Sequence, residues 1–189
     1  MFCGSSPGGR PEYAEIAEAL GRLCASRGLE VVYGGAHVGL MGVLADSALA
    51  AGGNVIGVIP NRLVEAEIAH AGLTELHIVE TMHERKALMA ELSDAVIALP
   101  GGTGTLDELF EMFTWSQLGL TRVPIALLDV CEYWQPLLGF LAHAVNERFL
   151  RPEHLETLIV ERDPGQLLDR LASHQPRTLD KWLDRREFD

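Results

Sequence analysis

Between Leu99 and Trp115 the chain reads LPGGTGTLDELFEMFTW, with glycine or threonine at Gly101, Gly102, Thr103, Gly104 and Thr105 and acids at Asp107, Glu108 and Glu111. Glycines ahead of a helix leave backbone N–H groups unshielded, and the helix dipole adds positive potential there. The stretch therefore suits a small anion, phosphate first of all. Capping accounts for part of the pattern: Thr105 as N-cap with Glu108 three residues on makes a capping box, and Asp107 favours the dipole. It does not account for Gly101, Gly102 and Gly104, which a capped helix does not need.

A second stretch, MHERKALMAEL from Met82 to Leu92, puts Arg85 and Lys86 in the first turn of a predicted helix, where the dipole disfavours cations. Glu84 partly offsets this, and a solvated basic pair is the plain alternative. Yet Lys86 and Lys181 are the only lysines in the chain, and Lys86 follows a strand beside Arg85. A phosphate or a carboxylate partner would remove the penalty.

These residues need elements to hold them. Six short apolar runs recur: Leu29–Tyr33, Asn54–Ile59, Leu76–Val79, Ala95–Leu99, Ile125–Leu128 and Leu158–Val160. Continuous runs of this kind mark strands buried on both faces of a parallel sheet. Between them, Pro11–Arg27 carries apolar residues at helical spacing with Gly28 as a stop, and Leu40–Ala51, His83–Ser93, Leu106–Leu118 and Tyr133–Arg148 read the same way. The alternation predicts an α/β fold, a doubly wound parallel sheet in a single domain over residues 1–174, with a charged tail at 175–189. Leu109, Met112, Phe113, Trp115 and Trp134 read as core or dimer packing rather than a platform for a base. The start is short: MFC leaves three residues before a turn, where a strand normally needs ~5. Either that strand is very short or the original chain began further upstream.

Ligands of open α/β sheets bind beyond the carboxyl ends of the strands. Three glycine turns fall there: CGSSPGG from Cys3, YGGAHVGLMG from Tyr33 and PGGTGT from Pro100. Neither the G-K-[ST] ending of a P-loop nor a clean G-x-G-x-x-G with its later acid is present, which sets aside dinucleotide redox chemistry.

Composition closes other routes. The 189 residues carry a net charge of −12, which argues against a nucleic-acid or membrane-surface partner. No apolar stretch reaches the ~18 residues of a membrane span, and no leader pattern precedes the fold. Cys3, Cys24 and Cys131 form no C-x-x-C pair and suit a reducing, cytoplasmic compartment as small core fillers. His70, His77 and His83 lack a metal-ligand spacing and read as surface or satisfied core histidines. No metal and no cofactor is expected.

PGGTGTLDE at Pro100–Glu108 matches P-G-G-x-G-T-x-x-E, and with MHERK at Met82–Lys86 the chain resembles the Lonely Guy family, cytokinin riboside 5′-monophosphate phosphoribohydrolases. CGSSPG, YGGAHVGLMG, VIGVIP and EIAHAGLTELHIV lie in that family's order, so the resemblance spans nearly the whole sequence. It implies a Rossmann-like fold, a homodimer, and hydrolysis of the N-glycosidic bond of a purine nucleoside 5′-monophosphate to free base and ribose 5-phosphate. The substrates it implies are N6-prenylated adenine nucleotides and AMP. It implies Arg85 and Glu108 as the catalytic pair. Substrate contacts would come from Lys86, from the loop of Gly101, Gly102, Thr103, Gly104, Thr105 and Asp107, and from Glu67, Thr114, Gly4, Ser5, Gly34 and Gly35.

Two other readings stand beside it. A nucleotide-binding sensor or carrier would use the same loop without chemistry, but has little reason to place a carboxylate beside a phosphate. The label "possible lysine decarboxylase" that such sequences carry would require pyridoxal phosphate on a Schiff-base lysine, and only Lys86 falls near the expected cleft.

Overall fold

Pro11 opens the first helix, because its fixed φ suits the first helical position and its missing N–H is not needed there. In the computed structural model, which describes residues 1–66 and 68–175, α1 spans Pro11–Ser26 and buries Ala17, Leu20, Gly21 and Cys24. Gly28 ends it as expected, at φ +67°, with its N–H on the Ala25 carbonyl and the Leu29 N–H on that of Cys24. A Cβ at Gly21 would stand 2.1 Å from Ser47 Oγ and 2.6 Å from the Leu44 carbonyl oxygen, so α2, Gly39–Ala50, packs against α1 almost backbone to backbone.

All six predicted strands form: β1 Val31–Tyr33, β2 Val55–Pro60, β3 Glu75–Val79, β4 Val96–Ala98, β5 Ile125–Leu128 and β6 Leu158–Glu161. Every pairing between them is parallel, in two three-stranded sheets ordered β1-β2-β3 and β4-β5-β6. The first residues join the two. Phe2 bridges Ala98 in parallel, its N–H on the Ile97 carbonyl and its own carbonyl accepting from Leu99, while the Met1 nitrogen donates to Val32. The short opening run thus serves as a strand of minimal length between β1 and β4.

Successive residues alternate between two cores, as the period of two along a strand requires. Tyr33, Ile97, Leu99, Ala126 and Leu128 face a cluster that includes Leu20, Leu44 and Leu167. Val32, Val96, Ala98, Ile125 and Leu127 face a second one with Met89, Leu109, Met112, Phe113 and Trp134. The first is covered by α1, α2 and α8 (Pro164–Ala172); the second by α4 (Met82–Glu91), α5 (Thr103–Gln117) and α6 (Gln135–Asn146). Helices on both faces make this the predicted doubly wound arrangement. The edge strand β3 departs from full burial: its Ile78 is exposed.

Three short or late helices went unpredicted: α3 (Asn61–Glu65), α7 (Pro152–Leu155) and α8. The first two are too brief to show a period, whereas Asp163 caps α8 by accepting from the Gln166 N–H at 2.8 Å. Among the described residues no helix is long and apolar enough to cross a membrane. Cys3 and Cys24 are buried as expected, but Cys131 is exposed, on a turn rather than in the core. The predicted tail lies outside the described residues beyond Gln175.

Candidate active site

The helix that carries the basic pair begins with a capping box. The Glu84 N–H donates to Thr81 Oγ1 at 3.1 Å, and Glu84 Oε2 accepts from the N–H groups of Thr81 at 3.1 Å and Glu80 at 2.8 Å. The box expected at Thr105 and Glu108 is absent. There α5 starts three residues earlier, with Gly102 at its N-cap and no side-chain cap, so Thr105 sits inside the first turn and Glu108 beyond it. A glycine at the cap leaves the first N–H groups of α5 without a side-chain acceptor, the arrangement that favours an anion.

Arg85 and Lys86 are the fourth and fifth residues of α4, just past the first turn, and both are buried. Carboxylates remove their penalty. The Arg85 guanidinium donates to Glu108 Oε1 at 2.9 Å and through Nε to the Val58 carbonyl at 3.0 Å. Lys86 Nζ lies 3.0 Å from Asp107 and 2.9 Å from Glu111. Adjacent residues of α4 thus pair with neighbours on α5 in two parallel rungs. Burial pushes the Glu108 carboxyl above its usual range, with Arg85 pulling the other way. Hydrogen bonding to Glu111, with a further bond to Asp107, pushes the Lys86 ammonium up.

The space for Arg85 exists because residue 34 is glycine. A Cβ there would stand 1.9 Å from Arg85 Nη2. Gly35 serves the backbone instead: at φ +73° it packs on Ile59 and Leu76, and its carbonyl accepts from the His70 N–H. Gly4 and Gly101 meet in the same way. The Gly4 N–H donates to the Pro100 carbonyl, and a Cβ on Gly101 would stand 2.8 Å from the Gly4 nitrogen and 2.1 Å from Thr105 Oγ1.

These contacts surround a cavity of about 380 Å³ at the carboxyl ends of the strands, within the size range of small-molecule sites. It brings together Ser5, Gly34, Arg85, Gly102, Thr103, Gly104, Thr105 and Glu108 from the three glycine turns and α4. Gly4, Gly35 and Gly101 do not line it but are the chain neighbours of Ser5, Gly34 and Gly102, which do. Three predicted residues are elsewhere: Lys86 is held in its ion pairs, while Asp107 and Thr114 face a separate open groove along α5 with Phe110 and Trp115. Glu67 lies outside the described residues.

Sequence reasoning missed the cavity's apolar side, which Val38, Met41, Leu63 and Ile68 supply. Leu63 and Ile68 reach it from the segment after β2, held by an antiparallel bridge between Ala36 and Ala69 and by the His37 N–H on the Ile68 carbonyl. A bridge across thirty-odd residues leaves no local signature. Cys3 also lines the cavity, its thiol pushed up to about 12 by burial.

Fold and site together define a Rossmann-like α/β protein with a buried arginine–carboxylate pair beside an uncapped helix N-terminus. A family model described as possible lysine decarboxylase matches residues 41–171. The cytokinin riboside 5′-monophosphate phosphoribohydrolase of Rhodococcoides fascians is 54% identical over 164 residues, covering 86% of this chain and 83% of that protein. The enzyme of the same name, LOG1, from Arabidopsis thaliana is 43% identical over 177 residues, covering 94% of this chain and 83% of its own length. The chain belongs to this family, the Lonely Guy family. The fold is shared more widely: the molybdenum cofactor binding protein of Rippkaea orientalis superposes with a TM-score of 0.67 at 22% identity, covering 90% of this chain and 93% of that one.

Proposed function

We propose that this protein hydrolyses the N-glycosidic bond of N6-modified adenosine 5′-monophosphates, the cytokinin nucleotides, and of AMP, releasing free base and ribose 5-phosphate. Its family relatives carry that activity, on cytokinin riboside monophosphates, in their names. The observation that carries the reading is the buried Arg85–Glu108 pair in the same cavity as the start of α5.

In this account the substrate phosphate lies over the N–H groups of the loop from Gly101 to Thr105, that of Gly102 among them, with the Thr103 and Thr105 hydroxyls as further donors. Anchoring the phosphate fixes the ribose and turns remote binding energy into orientation. As the bond from C1′ to the base breaks, positive charge builds on the sugar, and the buried Glu108 carboxylate faces it. Water oxygen forms the new bond to C1′, and the base leaves with a proton. Arg85 keeps its own proton, so its task is to hold Glu108 ionised against the cost of burial and to fix its position. Substrate roles for Ser5 and Gly34 rest on their place in the cavity. Those for Lys86, Asp107, Thr114 and Glu67 rest on the family resemblance, as do a homodimeric and cytoplasmic form.

A pure sensor or carrier gains nothing from a carboxylate beside a phosphate cradle, since repulsion weakens binding. The decarboxylase label does not fit the residues either: Lys86 is tied to two carboxylates outside the cavity, not poised as a free amine for pyridoxal phosphate. The test is chromatographic. The protein is incubated with N6-isopentenyl-AMP, with AMP and with the corresponding nucleosides. Free base from the monophosphates alone supports the proposal; no free base from any of them overturns it.

A further inference from the structure

The peptide between Gly101 and Gly102 has a glycine on each side, and nothing lies within 4 Å of a Cβ built on Gly102. With no Cβ on either side, the unit escapes the φ/ψ limits that hold other peptides in one orientation, although Gly101 itself packs closely on Gly4 and Thr105. Its orientation decides whether a backbone donor or a carbonyl oxygen faces the cavity that Gly102 lines. One side chain grips it from outside: the Tyr133 hydroxyl donates to the Gly101 carbonyl. In a trans peptide the C=O and N–H point in opposite directions, and no cis bond occurs among the described residues. A carbonyl held toward Tyr133, which does not line the cavity, turns the Gly102 N–H away from Tyr133.

The chain goes to some length to place that hydroxyl. Tyr133 follows two consecutive residues in the left-handed region, Cys131 at φ 52° and Glu132 at φ 62°, a conformation that L residues rarely adopt. Buried Asp129 holds the end of this turn, accepting from the Trp134 N–H at 2.8 Å and from the Gln135 amide at 2.6 Å. The ring of Tyr133 stands edge-on to Tyr13, at 5.8 Å between centroids, and to Trp134, at 5.0 Å. Aromatic contacts on two sides fix the ring.

We infer that Tyr133 is a positioning residue for anion recognition: by holding the Gly101 carbonyl outward, it keeps the Gly102 N–H aimed at the phosphate of the substrate. The inference rests on the phosphate placement proposed above. Tyr133→Phe tests it, since the ring contacts stay and the half-exposed Gly101 carbonyl can turn to water. Ribose 5-phosphate and adenosine are titrated calorimetrically into both proteins, beside kcat, KM and thermal unfolding. The expected result is ribose 5-phosphate binding weakened about 3- to 10-fold, the worth of one hydrogen bond, with adenosine binding and melting temperature unchanged. KM for the monophosphate rises by the same factor and kcat holds. Equal ribose 5-phosphate affinity in both proteins overturns the inference and leaves the phosphate placement standing. Parallel loss of both ligands with a lower melting temperature overturns it in favour of a merely structural role. A wild-type protein that binds no ribose 5-phosphate overturns the phosphate placement and this inference with it.

Discussion

Arg85 on α4 and Glu108 on α5 meet at 2.9 Å with both side chains 9% exposed, one step along each helix from the Lys86 pair with Asp107. Two helices on the same face of the fold are thus fastened by a rung that opens into the cavity and a rung that does not. That difference in placement yields distinct expectations for each rung.

Breaking the inner rung costs stability as well as activity. Arg85→Met leaves the Glu108 carboxylate buried and unpaired, and it frees the Val58 carbonyl. Loss of one partner of a buried pair costs about 3–5 kcal/mol. Adding Glu108→Gln to that variant removes the stranded charge, so the double variant unfolds at a higher urea concentration than Arg85→Met alone. A double variant weaker by the full sum of the two single losses contradicts the pairing.

The same carboxyl gives stability a pH dependence of definite sign. Burial raises its folded value above the ordinary 4.5, so over the interval from 4.5 up to the folded value the folded chain retains a proton that the unfolded chain has lost. Its contribution is therefore fully present below 4.5 and is lost as pH rises through the folded value. Unfolding free energies of wild type minus Glu108→Gln, measured across this range, fall with rising pH and then level off. A difference that grows with pH contradicts the assignment.

Two glycines separate space from conformation. Gly34→Ala drives a methyl into Arg85 Nη2, so kcat/KM drops at least about 100-fold while circular dichroism stays native. Gly104→Ala meets no neighbour within 4 Å and lies in the first turn of α5, where alanine stabilises a helix by about 0.5–1 kcal/mol. Because it lines the cavity, the same methyl raises KM. Comparable losses of activity in both would show that the guanidinium does not depend on Gly34.

The outer rung ties α4 to α5. Lys86→Met leaves Asp107 and Glu111 facing each other without a cation, and the melting temperature falls by several degrees, corresponding to about 2 kcal/mol after discounting the exposed Asp107. Since the lysine is raised above 10.5, its contribution is fully present below that pH and is lost as pH climbs through the folded value. A Lys86→Met protein as stable as wild type at neutral pH removes this rung from the account.

Much of this was written locally in the chain. The strands were legible because a sheet covered on both faces demands continuous apolar runs, and the glycine turns because unshielded backbone demands glycine. Arg85 and Glu108 were legible through motifs within a few residues of each. The true start of α5 was not: Thr105 and Glu108 have the spacing of a capping box, and the same spacing at Thr81 and Glu84 is where the box forms. What decides between them is burial, since Glu108 is drawn inward by Arg85, 23 positions away. Phe2 as a joining strand, Ile68 on the cavity wall and Tyr133 behind the loop all depend on long-range contacts. Thr114 shares a helix with Glu108 but faces outward, a matter of the helical turn that the motif alone does not state.

The central claim is that Glu108 does chemistry on a bound nucleotide, and Glu108→Gln separates the two parts of that sentence. Binding of N6-isopentenyl-AMP by calorimetry and release of free base by chromatography are measured on the same preparation. The account predicts affinity within a few-fold of wild type and turnover reduced by about 1,000-fold or more, the scale expected when a group acting on the transition state is removed. Turnover near the wild-type rate, with binding intact, would contradict it.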